Sequence, residues 1–284
     1  MPSSPERSIV LGPRGLLAAF AAAGLLATAA AAQLADTRRT QVDLELVLAV
    51  DVSQSMDYDE HQLQRAGYVA AFRHEDVVNA ILYGPRGRIA VTYMEWGDAY
   101  DQVQIVPWTM IASREDAEAF ADALANEPIY PSQRTSISRA IMRAADLIEA
   151  NEYDGYKRVV DVSGDGPNNT GPMVELARDA VAERGVTVNG LPIMLKEADS
   201  WYDIPNLDRY YEDCVVTGPG SFVAPVESLE QLAPTIRGKL VLEIVGLPPT
   251  IRHAQFLDEE GPTERADCLI GEKLWQSRGG RFFQ

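Results

Sequence analysis

Histidine and cysteine are scarce in this 284-residue chain, and their scarcity removes several chemistries at the outset. The three histidines are His61, His74 and His253, and none falls in the acid- and hydroxyl-bearing loops described below. There is no His-Glu-x-x-His, no Gly-x-Ser-x-Gly and no phosphate-cradling glycine-rich loop with lysine. Conventional hydrolytic machinery is therefore poorly supported. The two cysteines, Cys214 and Cys268, have no histidine at ligand spacing, which argues against a zinc site built on them. In an oxidising compartment a lone pair usually forms a disulfide, worth about 4 kcal/mol by loop-entropy arguments. Two unpaired buried thiols are the alternative.

Excess positive charge is also missing. Lys and Arg number 25 against 42 Asp and Glu, for a net charge of −17. Nucleic-acid affinity comes mainly from Lys and Arg displacing counterions, so a nucleic-acid partner is excluded as the expected one. One apolar run stands out, Leu16 to Ala32, preceded by Arg7 and Arg14 and closed by Ala30, Ala31 and Ala32. That layout is a secretory signal peptide, with cleavage expected after Ala32. An uncleaved anchor needs about 20 apolar residues, and this run is shorter and alanine-rich. No cysteine lies near the cut for a lipoprotein anchor, and Arg38 and Arg39 follow the apolar run where a twin-arginine signal would precede it. Loss of residues 1–32 removes two cationic and one anionic side chain, taking the net charge from −17 to −18. The expected location is periplasmic or secreted, with no stable membrane insertion after cleavage. The remaining length can bury a full core without help from staples.

Beyond residue 42 the pattern alternates strand and helix. Leu44 to Val50 is almost continuously aliphatic and stops at Asp51, as a strand buried on both faces does. Helix is expected from Glu60 to Leu82, broken near His74 and stopped by Gly84, Pro85 and Gly87. Arg88 to Trp96 and Gln102 to Val106 read as neighbouring strands, the second at an edge. Helices are expected over 115–124, capped by Ser113, and over 136–150. Arg158 to Val162 is another short strand, again ending at an acid-bearing loop, Ser163-Gly164-Asp165-Gly166. Helix from Met173 to Arg184 and strand from Thr187 to Ile193 follow. Lys196 to Tyr211 is an irregular connection ending in a short helix, in which Trp201, Tyr202, Tyr210 and Tyr211 form either internal packing or a partner-facing aromatic patch. A strand near Ser221 to Ala224 and a helix from Val226 to Ile244 complete the pattern, and Pro248 and Pro249 then break it. This alternation predicts a doubly wound α/β domain over residues 42–247, its sheet mostly parallel with helices on both faces, and a C-terminal extension over 248–284. Such sheets place ligands beyond the carboxyl ends of their strands, where Asp51 and Asp165 both stand.

The loop Asp51-Val52-Ser53-Gln54-Ser55 offers oxygen at alternate positions. A hard cation such as Mg²⁺ wants about six oxygen ligands, and in a tight turn those positions can face one point. Asp and Ser are also ordinary capping and turn residues, so the pentapeptide alone leaves both readings open. Its setting favours metal: a buried strand precedes it, a second acid stands in the Ser163 to Asn169 loop, and Arg134-Thr135-Ser136-Ile137-Ser138 offers hydroxyls before another helix. Asn168 and Asn169 can bind ligand or shape their turn. Asp57, Asp59 and Glu60 favour the positive end of the next helix.

On these residues the chain resembles a von Willebrand factor type A domain. The resemblance implies a metal-ion-dependent adhesion site formed by Asp51, Ser53 and Ser55 from the first loop, Thr135 from the second and Asp165 from the third. It implies hydroxyls touching the metal, aspartates acting through water, and an open coordination position filled by an acidic group from a protein partner. The chain is more narrowly similar to a group of exported bacterial proteins of this type with no assigned function, through DLELVLAVDVSQSM, RIAVTYMEW, RVVDVSGDGPNN and VNGLPI, spanning Val42 to Gly246. A glycine often precedes the threonine in the wider family, and Arg134 stands there in this chain. The expected cofactor is Mg²⁺, with Mn²⁺ or Ca²⁺ as alternatives. The expected function is cation-dependent binding of a protein partner and not catalysis. The alternatives are a Mg²⁺-dependent phosphatase with Asp51 as nucleophile, which would want a second acid where Ser53 stands, and an assembly factor with a vestigial metal site.

Overall fold

A computed structural model describes residues 39–195, 204–246 and 265–279. The expected signal segment and the pair Trp201 and Tyr202 lie outside these residues. The chain divides into two compact units, Met1–Thr40 and Gln41–Gln284, and the core belongs to the second.

Strand β1 (Thr40–Asp51) is the middle of a five-stranded sheet ordered β3-β2-β1-β4-β5. Its Leu44, Leu46, Leu48 and Val50 enter one core, while Val47 and Ala49 enter another. A strand covered on both faces needs no polar alternation, which is why its sequence is an unbroken aliphatic run. Strand β2 (Ile89–Trp96) pairs parallel to β1, with Asp51 opposite Trp96 at the last rung. Strand β3 (Gln102–Ile111) is the antiparallel edge. On the other side lies β4 (Tyr153–Gly164), which β5 (Thr187–Pro192) joins in parallel, pairing Gly164 with Pro192.

Helices cover both faces. Helices α1 (Tyr58–Arg73), α2 (Glu75–Leu82), α3 (Arg114–Asn126) and α7 (Leu229–Val245) contribute Phe72, Ile81, Phe120 and Ile236 to the first core. Helices α4 (Ile137–Ala150), α5 (Val174–Glu183) and α6 (Leu207–Tyr210), the last running into a π-helical turn over Tyr211–Val215, supply Ile141, Val181 and Leu207 to the second. The doubly wound, mostly parallel architecture is therefore as expected. So is the break at His74, which ends α1 and caps α2 by accepting the Asp76 N–H at 3.1 Å.

Three details differ from the sequence reading. Residues 221–224 touch β5 only through isolated bridges, Gly190 to Val223 and Ile193 to Val226, because Pro192 of β5 has no N–H to donate to Ala224 O between them. Val226 is held in that bridge, so the helix expected to start there begins at Leu229. The C-terminal extension, for which the sequence predicts no element, contains α8 (Ile270–Gly279). Of the four aromatics in the long connection, Tyr210 and Tyr211 are buried core residues and face no partner. Cys214 and Cys268 form a disulfide with Cα atoms 5.5 Å apart, and among the described residues no cysteine is free.

Candidate metal centre

Three loops meet where β1 and β4 end. The first leaves β1 at Asp51 and is tied down by backbone: the Val52 N–H donates to Trp96 O at 2.9 Å, and the Ser132 N–H donates to Val52 O at 2.7 Å. That second bond brings the segment before α4 alongside the first loop, with Ser53 and Ser132 forming a parallel bridge. The Ser136 N–H then donates to Gly97 O at 2.7 Å. Gly97 is required at that joint, because a Cβ there would stand 2.2 Å from the Ser132 Cβ. The third loop closes on the second through the Asn169 N–H, which donates to Thr135 O at 2.9 Å, and the Thr135 N–H, which donates to Asn169 Oδ1 at 3.1 Å.

These ties place the side chains. The Ser53 N–H donates to Asp51 Oδ1 at 2.7 Å, turning the loop over the carboxylate. The Ser53 and Ser55 hydroxyls are 2.9 Å apart, Ser55 donates to Asp165 Oδ1 at 2.6 Å, and Thr135 Oγ1 lies 3.5 Å from Ser53 Oγ. Asp51, Ser53, Ser55, Thr135 and Asp165 thus form one connected cluster, drawn from positions as far apart as 51 and 165. Asp51, Ser53 and Thr135 are buried, while Ser55 and Asp165 are partly exposed, so the cluster opens at one side.

Its electrostatics are unbalanced. Burial first, and the Asp165 charge second, hold the Asp51 carboxyl well above its ordinary range. Asp51 Oδ2 is buried and receives no hydrogen bond, and the nearby Tyr211 hydroxyl is in the same position. Both crowd Gly164, where a Cβ would lie 2.8 Å from Asp51 Oδ2 and 3.0 Å from the tyrosine oxygen. Burial and then the Asp51 charge push the Tyr211 hydroxyl upward as well. An acceptor-rich pocket with an orphaned carboxylate oxygen and three converging hydroxyls fits a hard divalent cation. Among the described residues no cluster of three or more His, Cys, Asp or Glu could hold a metal, so such a site must draw on hydroxyls. This donor set does.

The two asparagines are engaged in the scaffold. Asn168 is buried; its Oδ1 accepts from the Ser138 N–H at 3.0 Å, and its Nδ2 donates to Pro172 O at 3.1 Å and Glu272 Oε1 at 2.7 Å. Asn169 fixes Thr135 as described. Asp57 completes a capping box with Glu60 at the start of α1, each side chain meeting the other's N–H at 2.9 and 2.8 Å. Arg134 turns to α8, its guanidinium 4.2 Å from the centre of the Trp275 ring. Tyr211, Glu272 and Trp275 are neighbours of the site that the sequence reading missed. Nothing in local pattern marks them, since each reaches the site through tertiary packing.

The fold is that of a von Willebrand factor type A domain. The pilus adhesin SpaC from Lactobacillus rhamnosus GG, in an open conformation, superposes with a TM-score of 0.54 at 14% identity over 73% of this chain and 31% of that chain. Proximal thread matrix protein 1 from the mussel byssus, with a zinc-occupied MIDAS motif, gives 0.54's near equal, 0.53, at 14% identity over 72% of this chain and 48% of that chain. This chain therefore spans 31% of the one protein's length and 48% of the other's. By sequence, residues 41–248 match the family described as protein of unknown function (DUF1194), and the chain belongs to it. No curated protein matches the sequence.

Proposed function

We propose that this protein is a divalent-cation-dependent binding module of the cell envelope that engages a protein partner through an acidic side chain. The observation that carries this reading is the convergence of Asp51, Ser53, Ser55, Thr135 and Asp165 at the carboxyl ends of β1 and β4, with a buried Asp51 oxygen that no donor satisfies. Ser53, Ser55 and Thr135 would hold Mg²⁺, with Mn²⁺ or Ca²⁺ as alternatives, by their hydroxyls. Asp51 and Asp165 would supply the neutralising charge, and Asn168 and Asn169 would keep the loops in place. A bound cation supplies a concentrated positive charge to which an incoming carboxylate can attach. The partly exposed Ser55 and Asp165 leave the approach for that carboxylate. Support comes from the metal-occupied motif of the mussel protein and from the adhesin role of SpaC, both on this fold.

The phosphatase alternative fits less well. Asp51 is wholly buried and committed to the Ser53 N–H, and position 53 carries a buried hydroxyl where a proton-transferring acid would be wanted. Export is supported by the apolar segment at residues 16–32 and by the disulfide, and among the described residues no helix is long and apolar enough to cross a membrane. The test is thermal melting of the mature chain with and without Mg²⁺ or Mn²⁺. A ligand of the native state at a hundred times its Kd adds about 2.7 kcal/mol. A melting temperature raised by cation in the wild type and not in Asp51→Ala supports the reading; no shift in the wild type favours the assembly factor with a vestigial site.

A further inference from the structure

Helix α8 lies outside the segment that matches the family, yet it packs on two of the three metal loops. On the third loop, Glu272 Oε1 accepts from Asn168 Nδ2 at 2.7 Å, and that same Asn168 side chain accepts the Ser138 N–H of α4, the helix that follows the second loop. Gly271 sits so close beneath that a Cβ would stand 2.1 Å from Asn168 O, so only glycine admits the approach. On the second loop, Trp275 receives the Arg134 guanidinium 4.2 Å from its ring centre, directly before Thr135. The Cys214–Cys268 bridge anchors the start of this segment to the π-helical turn that also carries Tyr211, beside Asp51. The Ala266 N–H and the Arg265 guanidinium bond Asp213 on the same turn at 2.8 Å each, the guanidinium to its backbone oxygen.

From these contacts we propose that α8 is a disulfide-latched clamp that sets the spacing of the Thr135 and Asp165 loops, so that cation affinity depends on the oxidation state of Cys214 and Cys268. Glu272 and Trp275 are positioning residues, acting through Asn168 and Arg134. Opening the latch consumes two electrons: a phosphine reductant is oxidised to its oxide with oxygen from water, and the S–S bond becomes two thiols. With the covalent link gone, a helix of ten residues is held by noncovalent contacts, among them Glu272, Trp275, the Asp213 bonds, the Arg265–Glu175 ion pair and the packing of Ala266 and Ile270 on the second core.

This inference rests on the metal-site reading, and its test separates the two. MnCl₂ is titrated calorimetrically into the oxidised chain, the chain reduced with a phosphine and then freed of reagent, and the oxidised variants Glu272→Ala and Glu272→Gln. Amide hydrogen exchange at Thr135 and Ser138 is followed in each. Reduction is expected to weaken Mn²⁺ binding at least fivefold and to speed exchange at both amides. Glu272→Ala acts in the same direction, and Glu272→Gln, which keeps an acceptor oxygen for Asn168, restores the wild-type values. Equal affinity in oxidised and reduced chains overturns the clamp. If the oxidised chain takes no Mn²⁺, the metal-site reading falls, and exchange at Thr135 and Ser138 unchanged by reduction then overturns the clamp on its own.

Discussion

Asp51 is a carboxylate placed where the fold alone has little use for it. One oxygen accepts the Ser53 N–H and the other, fully buried, accepts nothing. A buried polar group left unsatisfied costs about 1–3 kcal/mol. Asp51→Asn, which keeps the size and can offer an N–H, is therefore expected to raise the metal-free stability by about that amount. The same change should abolish stabilisation by Mg²⁺, and urea denaturation of both proteins with and without the cation measures the two effects together. A second buried set lies between β4 and α7. There the Lys239 ammonium is 2.7 Å from Asp161 Oδ1 and pairs with Glu243 on its own helix, and Asn189 donates to Glu243 at 2.9 Å. Burial, and then the Asp161 charge, push the Glu243 carboxyl up to about 7, with Lys239 and Asn189 opposing. Because the folded chain holds that proton more tightly than the unfolded one, this group's contribution is full at acid pH and is lost as pH rises from about 4.5 to about 7. The loss is on the order of 3 kcal/mol, and Glu243→Gln should flatten the wild-type fall in stability across that window. Denaturation at pH 5, 6 and 7.5, taken as wild type minus variant, reads it.

At the scale of elements, the loops are only as well placed as the joints between them. Gly97 directly follows β2, and its carbonyl accepts the Ser136 N–H while its Cα abuts Ser132. Gly97→Ala would force the second loop away from the first, with an expected loss of about 1–3 kcal/mol typical of overpacking and of most of the cation-induced melting shift. Differential scanning calorimetry with and without MnCl₂ checks both. The five strands of the sheet and the first loop were legible, though not the bridges at residues 221–224, because their signals are local: the aliphatic run of β1 ends at Asp51, and His74 interrupts the helical period. The first-loop residues and Thr135 and Asp165 were legible through their pattern, which carries a resemblance. Helix α8 was not, since its apolar residues meet their partners only after the chain has returned to the site. The contact of Trp275 with Arg134 is likewise a product of tertiary packing that no periodicity encodes. The same holds for Asn168, whose amide is consumed by Ser138, Pro172 and Glu272, partners that lie on three different segments.

For the molecule as a whole, a net charge of −17 shapes how any cation or acidic partner arrives. Such a surface concentrates divalent ions and repels carboxylates, and salt screens both effects beyond a Debye length of about 10 Å at 0.1 M. Mn²⁺ affinity is therefore expected to fall several-fold as NaCl rises from about 20 mM to about 500 mM. Affinity insensitive to salt would place the ion away from this acidic field. The central claim is that loops separated by more than a hundred residues of sequence build one cation site, and anomalous diffraction from crystals grown with MnCl₂ tests it most directly. The account predicts a manganese peak bonded to the Ser53, Ser55 and Thr135 hydroxyls and flanked by Asp51 and Asp165. A map with no peak there, or with manganese bound only elsewhere, would contradict it.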